Sequence, residues 1–262
     1  MKVRAWDAAQ LGAVAVAASF LVLPVAALGL TLRWEDLLAG IRHPLLWPAL
    51  RLSLRTSSTS LVLVVVPGSI VAWWVARHPG RLSRAVETIL QLPAVVPPAA
   101  AGVGLLLAFG RRGLLGPWLE RRGIELPFTT AAVVLAETFV SAPFFLQAAT
   151  AAFRRIDENL LIVARTLGAS PFRTFLELAI PLSAPSLVAG AAMSWARSLG
   201  EFGATVLFAG NLTGRTQTLP LAVYTAMESD LRAAQALALI MVTFAFALLL
   251  VLRRMIREAE HA

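Results

Sequence analysis

The sequence predicts an all-α protein that crosses a membrane six times. Only 15% of its 262 residues are charged and 58% are hydrophobic, whereas soluble domains average about 25% charged residues. The uncharged residues fall into long runs, and a helix needs about 20 apolar residues to cross the hydrocarbon core of a bilayer. The composition therefore indicates a polytopic membrane protein with helical spans.

Six runs are long enough to be spans. Four of them contain no charged residue, namely 8–32, 56–76, 88–110 and 233–252. The other two contain few charges: 126–153 includes Glu137, and 178–214 includes Arg197 and Glu201.

The first run also has features of a secretory signal. Lys2 and Arg4 precede it, and small residues occupy positions 26 and 27. The apolar segment of a signal is about 7–15 residues long, whereas this run has 25 residues. We therefore expect a retained N-terminal helix.

The residue inventory excludes several kinds of chemistry. The chain has no cysteine, which excludes disulfides, thiolate nucleophiles and Cys-ligated metals. A phosphate-binding P-loop requires a lysine, and the single lysine is Lys2 at the terminus. The histidines, His43, His78 and His261, are far apart in the sequence. We expect no catalytic residue, no bound cofactor and no metal site in this chain.

The positive charge points to lipid but does not orient the chain. The net charge is +8, and the arginines cluster at the edges of the apolar runs, where they suit anionic headgroups better than nucleic acid. With both termini in the cytoplasm, 12 basic residues lie on the cytoplasmic side and 10 on the other. The positive-inside rule requires a clearer bias than this.

Residues that interrupt the spans are the candidates for function in the membrane. Arg197 and Glu201 stand four residues apart, so on a continuous helix they share one face. They form either an ion pair that neutralises itself or part of the wall of a pathway. Pro97 and Pro98 interrupt helical hydrogen bonding, as does Pro93. These prolines indicate either a packing irregularity or a hinge.

The other interfacial features fit an ordinary membrane protein. Glu137 lies about 10 Å along its helix if the helix begins near residue 130, and we expect water from the outer face to hydrate it. Tryptophans near span ends serve as interfacial anchors. Five are predicted to do so: Trp34, Trp47, Trp73, Trp74 and Trp118.

The polar stretch 154–181 predicts a helix–glycine–helix elbow outside the bilayer. A first helix covers 156–167, Gly168 supplies a positive φ at its end, Ser170 caps the next helix and Pro171 takes its first position. In the second helix one apolar face carries Phe172, Phe175, Leu176 and Ala179, opposite Arg173, Thr174 and Glu177. Such an elbow is either an interfacial helix or a docking site for a soluble partner.

This stretch resembles the cytoplasmic EAA loop of ABC-transporter membrane subunits. In that pattern a Glu-Ala-Ala triplet precedes a glycine, and an I-x-L-P sequence follows it. Here Gly168 is followed at the family's spacing by residues 178–181, and the triplet falls on Ile162-Val163-Ala164, so the glutamate is missing. The resemblance implies a coupling elbow formed by Ile162, Val163, Ala164, Arg165, Leu167, Gly168, Ala169, Ser170 and Pro171, and it places this elbow in the cytoplasm.

Within the family, residues 48–252 resemble the permease subunits of molybdate importers. The strings RSLGEFGATVLFAGN, TQTLPLAVYTAMES and LPAVVPPAAAGVGLLLAFGRRG carry the resemblance. Sulfate permeases share part of it, so a sulfate or thiosulfate permease is the nearest alternative, and an ion-coupled secondary transporter is a more distant one. The candidate pathway or gate residues are Arg197, Gly200, Glu201, Gly203, Thr205, Asn211, Pro97 and Pro98.

The resemblance also implies an architecture, a location and partners. Residues 1–262 would form one permease domain of the type I ABC importer fold, with the span at 8–32 as an addition and with the coupling loop at 154–181. The chain would lie in a bacterial inner membrane with both termini in the cytoplasm. Two copies would bind two ATPase subunits, which hold ATP and Mg²⁺, and a periplasmic or lipid-anchored oxyanion-binding protein.

Overall fold

The structure, a computed structural model, describes the backbone of residues 2–261 and the side chains of this range except those of 2–5, 8, 249, 251–253 and 255–261. Within this range the chain is helical and contains no strand. The helices are α1 (Lys2–Leu30), α2 (Trp34–Ile41), α3 (Leu46–Arg77), α4 (Arg81–Val95), α5 (Pro98–Phe109), α6 (Gly116–Glu120), α7 (Thr130–Arg154), α8 (Glu158–Thr166), α9 (Pro171–Arg173), α10 (Ile180–Leu199), α11 (Gly203–Phe208), α12 (Leu219–Ser229) and α13 (Leu231–His261). A π-helical segment, Thr174–Ala179, joins α9 to α10.

The predicted spans are present, but two of them are broken. Among the described residues, five helical segments are long and apolar enough to cross a membrane: Ala9–Leu30, Leu46–Arg77, Thr130–Arg154, Pro171–Leu199 and Leu231–Leu248. The helices α4 and α5 form a sixth span if the bent pair is counted as one. The all-helical, polytopic fold class is therefore confirmed.

The third span bends by 115° between α4 and α5. Val96 and Pro97 have extended ψ angles of 126° and 137° there. A proline disfavours the helical conformation in the residue before it, so two consecutive prolines force both positions out of the helix, and Pro98 then begins α5 at its first position. Pro93, in contrast, lies inside α4.

Helix α7 lies at the centre of the molecule, between α3 and α10. Small residues let the three helices approach closely: a Cβ on Gly68 of α3 would lie 3.1 Å from Phe145, and one on Gly190 of α10 would lie 2.6 Å from Ala148. Towards the elbow, a buried cluster joins Phe145 and Phe153 of α7 to Phe175. A second cluster joins α7 to α5 and α11, so α7 connects the elbow to both helix breaks.

The first span is attached to the rest of the molecule near one end. The side-chain amide of Gln235 in α13 donates hydrogen bonds to Leu28 O at 3.1 Å and to Thr31 Oγ1 at 2.7 Å. No residue of the segment Ala9–Leu30 is buried. Next to it, α2 packs on α13 where Gly40 lies against Ala236.

One of the predicted tryptophan anchors, Trp73, also packs against aromatic side chains of α7 and the elbow. The Trp73 ring packs between Phe153 at 5.4 Å and Phe175 at 5.8 Å, and the Arg77 guanidinium lies 4.8 Å from its centroid. Trp73 therefore holds the elbow against α3 and α7. The sequence did not indicate this packing because the prediction was based on nearness to a span end, whereas the contacts of Trp73 come from residues far along the chain.

Candidate functional site

The fifth predicted span, 178–214, ends earlier than the sequence indicated. Helix α10 stops at Leu199, and a new short helix, α11, begins at Gly203. In a helix interior glycine is less favourable than any residue except proline, and positions 200 and 203 are both glycine. In addition, Glu201 Oε1 accepts the backbone N–H of Ala204 at 2.7 Å, which caps the first turn of α11.

Arg197 and Glu201 form an ion pair across this break. Arg197 Nη1 lies 2.8 Å from Glu201 Oε2; the arginine side chain is 27% exposed and the glutamate 1% exposed. The two residues do not share a helical face as predicted, because Glu201 lies beyond the end of α10. The pair is nonetheless formed, so the geometry agrees with the interpretation in which the two charges neutralise each other.

The break in the third span lies against the break in the fifth. A Cβ on Gly203 would lie 2.9 Å from Pro98 Cβ and 3.2 Å from the backbone nitrogen of Ala99. One turn further, a Cβ on Gly102 would lie 2.9 Å from Ala204 O. Glycine is needed at these positions because the two backbones nearly touch. The packing thus brings α5 and α11 together at their first turns.

Most of the predicted gate residues meet at this junction. Thr205 is fully buried in α11, Pro97 and Pro98 are exposed at the start of α5, and Gly200 lies in the break. Asn211 belongs to a different cluster, in which its side-chain amide and that of Gln217 both donate to Thr225 Oγ1, at 2.8 and 3.1 Å. Asn211 therefore ties the loop after α11 to α12.

Sequence reasoning missed a buried polar seam beside the junction. Glu137 is 2% exposed, so the expectation of hydration from the outer face is wrong. Its Oε1 lies 2.9 Å from Thr56 Oγ1 of α3. The available signal was a hydroxyl stripe on α3 at helical spacing, Ser53, Thr56, Ser57 and Ser60, all of which are buried.

The predicted turn of the elbow is confirmed in detail. Gly168 has φ +85°, Ser170 Oγ accepts the N–H of Arg173 at 3.3 Å, and Pro171 begins α9. The first helix starts two residues later than predicted, because the Asp157 side chain caps it by accepting the N–H of Asn159 at 3.0 Å.

The second half of the elbow buries a different face from the predicted one. Phe175 and Ala179 are buried as expected, but Phe172 and Leu176 are exposed and Thr174 is buried. The reason is the π-helix at Thr174–Ala179, whose i→i+5 hydrogen bonds widen the turn and shift the buried face. The prediction assumed the α-helical period of 3.6 residues.

The elbow is held to the span ends on one side and is exposed and apolar on the other. The Arg77 guanidinium donates to the carbonyls of Phe153 and Ile156, and Arg154 binds both carboxylate oxygens of Glu87 at 2.8–2.9 Å. The exposed large apolar side chains of the elbow are Leu160, Ile162, Val163, Leu167, Phe172 and Leu176. An exposed apolar surface of this kind marks a protein or membrane contact.

Comparison with known proteins gives a consistent result. The family described as "Binding-protein-dependent transport system inner membrane component" matches residues 68–259. The molybdenum transport system permease protein ModB of Mycobacterium tuberculosis is 43% identical over 226 residues, which are 86% of this chain and 86% of that protein. ModB of Escherichia coli K12 is 36% identical over 78% of this chain and 89% of its own length.

Solved structures support the same fold. A bacterial ABC transporter that imports the polysaccharide alginate matches 97% of this chain and 96% of its own, with a TM-score of 0.76 and 15% identity. The MetNI methionine ABC transporter matches 82% of this chain and 94% of its own, with a TM-score of 0.62 and 18% identity. At these identities the similarity concerns the fold alone.

Proposed function

Because the chain belongs to the family of inner membrane components of binding-protein-dependent transport systems, we propose that it forms half of the pathway of an ATP-driven importer for molybdate or tungstate. The names of its relatives support the substrate, since proteins 36–43% identical to this chain are molybdenum permeases. Molybdate and tungstate have the same charge and similar size, so the choice between them falls to the binding protein.

The elbow is the observation that carries this proposal. It presents six large apolar side chains to the outside, while Arg77 and the Glu87–Arg154 pair fix it to the span ends. This combination suits a docking surface that transmits force, because a partner can bind the apolar side and the fixed side passes the movement to α7 and α10. The elbow residues named above, centred on Gly168, take this role.

The partner on the elbow is an ATPase subunit that holds ATP and Mg²⁺. ATP binding can drive transport only if it favours one arrangement of the two permease copies over the other. The elbow then lies in the cytoplasm, both termini lie on the same side, and the membrane is the bacterial inner membrane. A binding protein on the opposite side delivers the oxyanion.

The paired breaks are the proposed gate in each copy. Two short helices that meet at glycine contacts, α5 and α11, can separate as units without breaking long helices. The Arg197–Glu201 pair leaves little net charge there, so a dianion is not held too tightly to leave. The predicted residues that move with this junction are Thr205, Gly200, Pro97 and Pro98. Asn211, in contrast, anchors the loop after α11 to α12.

Uptake measurements test the function directly. Proteoliposomes that hold the chain with its ATPase and binding protein should accumulate labelled molybdate only when ATP is present. Excess tungstate should compete and excess sulfate should not. Uptake driven by an ion gradient without ATP would contradict the proposal, and efficient competition by sulfate would reassign the substrate to sulfate or thiosulfate.

A further inference from the structure

The Glu137 carboxyl group lies between three segments of the membrane core. It belongs to α7, its Oε1 contacts Thr56 of α3 at 2.9 Å, and Ser198 near the end of α10 faces the same group. Glu137 Oε2 and Ser198 Oγ are both buried, and neither makes a hydrogen bond of good geometry with the residues described. The carboxyl group thus lies beside the last residues of α10 before the break at Gly200.

The position of the Thr56 hydroxyl bears on the protonation state of Glu137. Thr56 Oγ1 lies 3.0 Å from Leu52 O, one helical turn earlier, as well as 2.9 Å from the carboxyl group. A hydroxyl group has one proton to donate, and threonine in a helix commonly gives it to the carbonyl four residues back. The hydroxyl is placed to donate either to Glu137 Oε1 or to Leu52 O. When it donates to Leu52 O, the 2.9 Å contact with Glu137 is a hydrogen bond only if the carboxyl group carries the proton and donates it to Thr56.

The surrounding charges favour the same state. A buried carboxylate is costly unless cations or several donors surround it. Glu201, next to the end of α10, is a second buried acid near Glu137. The cation in that region, Arg197, is already paired with Glu201 at 2.8 Å. On α3 the adjacent charged residue, Arg55, is exposed. No charged partner for Glu137 occurs among its described neighbours.

We propose that Glu137 is a neutral, proton-carrying acid and a positioning residue, which joins α3 to the end of α10 and holds the break at Gly200 in place. A surface groove lined by Arg55, Thr59 and Thr130 extends as far as Thr56, and the carboxyl group of Glu137 lies on the buried side of Thr56. Folding then takes up a proton at this residue, so its contribution to stability is lost as the pH rises. Its bearing on the gate rests on the proposed function.

Thermal unfolding of the assembled transporter tests this inference without relying on transport. Between about pH 6 and about pH 9 the unfolding temperature of the wild type should fall more than that of Glu137→Gln, by at least about 3 °C. Glutamine keeps the size and a donor but cannot titrate. Glu137→Met, which also cannot titrate, should unfold at a lower temperature than glutamine at every pH, because it cannot bind Thr56.

Glu120→Gln is the matched control, since it removes an exposed carboxylate and should follow the wild type. Infrared spectra should show a protonated carboxyl band in the wild type that Glu137→Gln lacks. Parallel pH profiles for the wild type and Glu137→Gln, or absence of that band, would overturn the inference. If the wild type shows no ATP-dependent uptake, the proposed function fails while these two measurements still decide the state of Glu137.

Discussion

The elbow and the paired helix breaks both interrupt an apolar chain, but different contacts build them. The elbow is formed by neighbours in sequence: Asp157 and Ser170 cap helices, and Gly168 supplies the turn. The breaks are held by contacts between distant segments, such as Gly203 against Pro98, and by a buried ion pair. The comparison teaches that the elbow depends on its own residue types, whereas the junction depends on residues from distant parts of the chain.

Replacement of Arg197 should have the largest effect on stability. Arg197→Met leaves Glu201 buried without its cation, and breaking a buried pair costs about 3–5 kcal/mol in the free energy of unfolding. The double variant Arg197→Met with Glu201→Gln should recover most of this loss. Chemical unfolding of the purified chain in micelles measures both.

The exposed pair Arg33–Glu35, 3.5 Å apart, provides the control for that experiment. Arg33→Gln should change the free energy of unfolding by less than about 1 kcal/mol. Equal losses in the free energy of unfolding on replacement of Arg33 and Arg197 would show that burial does not strengthen the contribution of the Arg197–Glu201 pair.

A methyl group at the junction of the breaks should have the next largest effect. Gly102→Ala places a Cβ 2.9 Å from Ala204 O, and overpacking of this kind costs about 1–3 kcal/mol. Gly104→Ala in the same helix meets nothing within 4 Å and should be neutral or slightly stabilising. Gly102→Ala should have a lower free energy of unfolding and less uptake than Gly104→Ala. Equal values for the two variants would mean that α5 and α11 do not need this close contact.

A substitution at the elbow turn should reduce stability less but abolish transport. At Gly168 an added Cβ meets no atom within 4 Å, and the penalty comes from φ +85° alone, about 1–2 kcal/mol. We expect Gly168→Val to insert in the membrane normally and to lose ATP-dependent uptake. Gly80→Val, at an extended φ of 178° and also in open space, should transport normally; unimpaired uptake by Gly168→Val would place the coupling site elsewhere.

A charge on the exposed side of the elbow should leave stability unchanged. Leu167 is 82% exposed, so Leu167→Asp should alter the free energy of unfolding by less than about 0.5 kcal/mol. It should still reduce the amount of ATPase that copurifies with the chain. Leu114→Asp, at an 89% exposed leucine between α5 and α6, serves as the control, and an equal loss of ATPase in both variants would contradict a specific docking surface.

Local rules predicted the elbow well because its stabilising contacts are local. The residue types at 168, 170 and 171 determine a turn, a cap and a helix start without help from the rest of the chain. The π-helix that follows was not predictable in this way. It depends on packing of Phe175 against Trp73 and Phe153, which no periodicity of the segment itself reveals.

The membrane core was predictable in outline and not in its polar details. The uncharged runs predicted the spans, because the length of the apolar run decides whether a helix can cross the membrane. The break at 200–202 was missed because the apolar run continues to residue 214, and the glycines at 200 and 203, which weaken a helix, were not weighed against that length. Glu137 was assigned to water because its depth was judged from its own helix, whereas Thr56 and Ser198 on other helices enclose it.

The π-helical segment between α9 and α10 also sets the rotational phase between the two regions. An α-helix turns by about 100° per residue, and the wider π-helical turn takes up about one extra residue, so winding Thr174–Ala179 as an ordinary α-helix without removing a residue would rotate α10 by about that angle relative to the elbow. Arg197, near the distal end of α10, would rotate with the helix. The widened turn therefore keeps the distal end of α10 in rotational register with the exposed apolar side of the elbow.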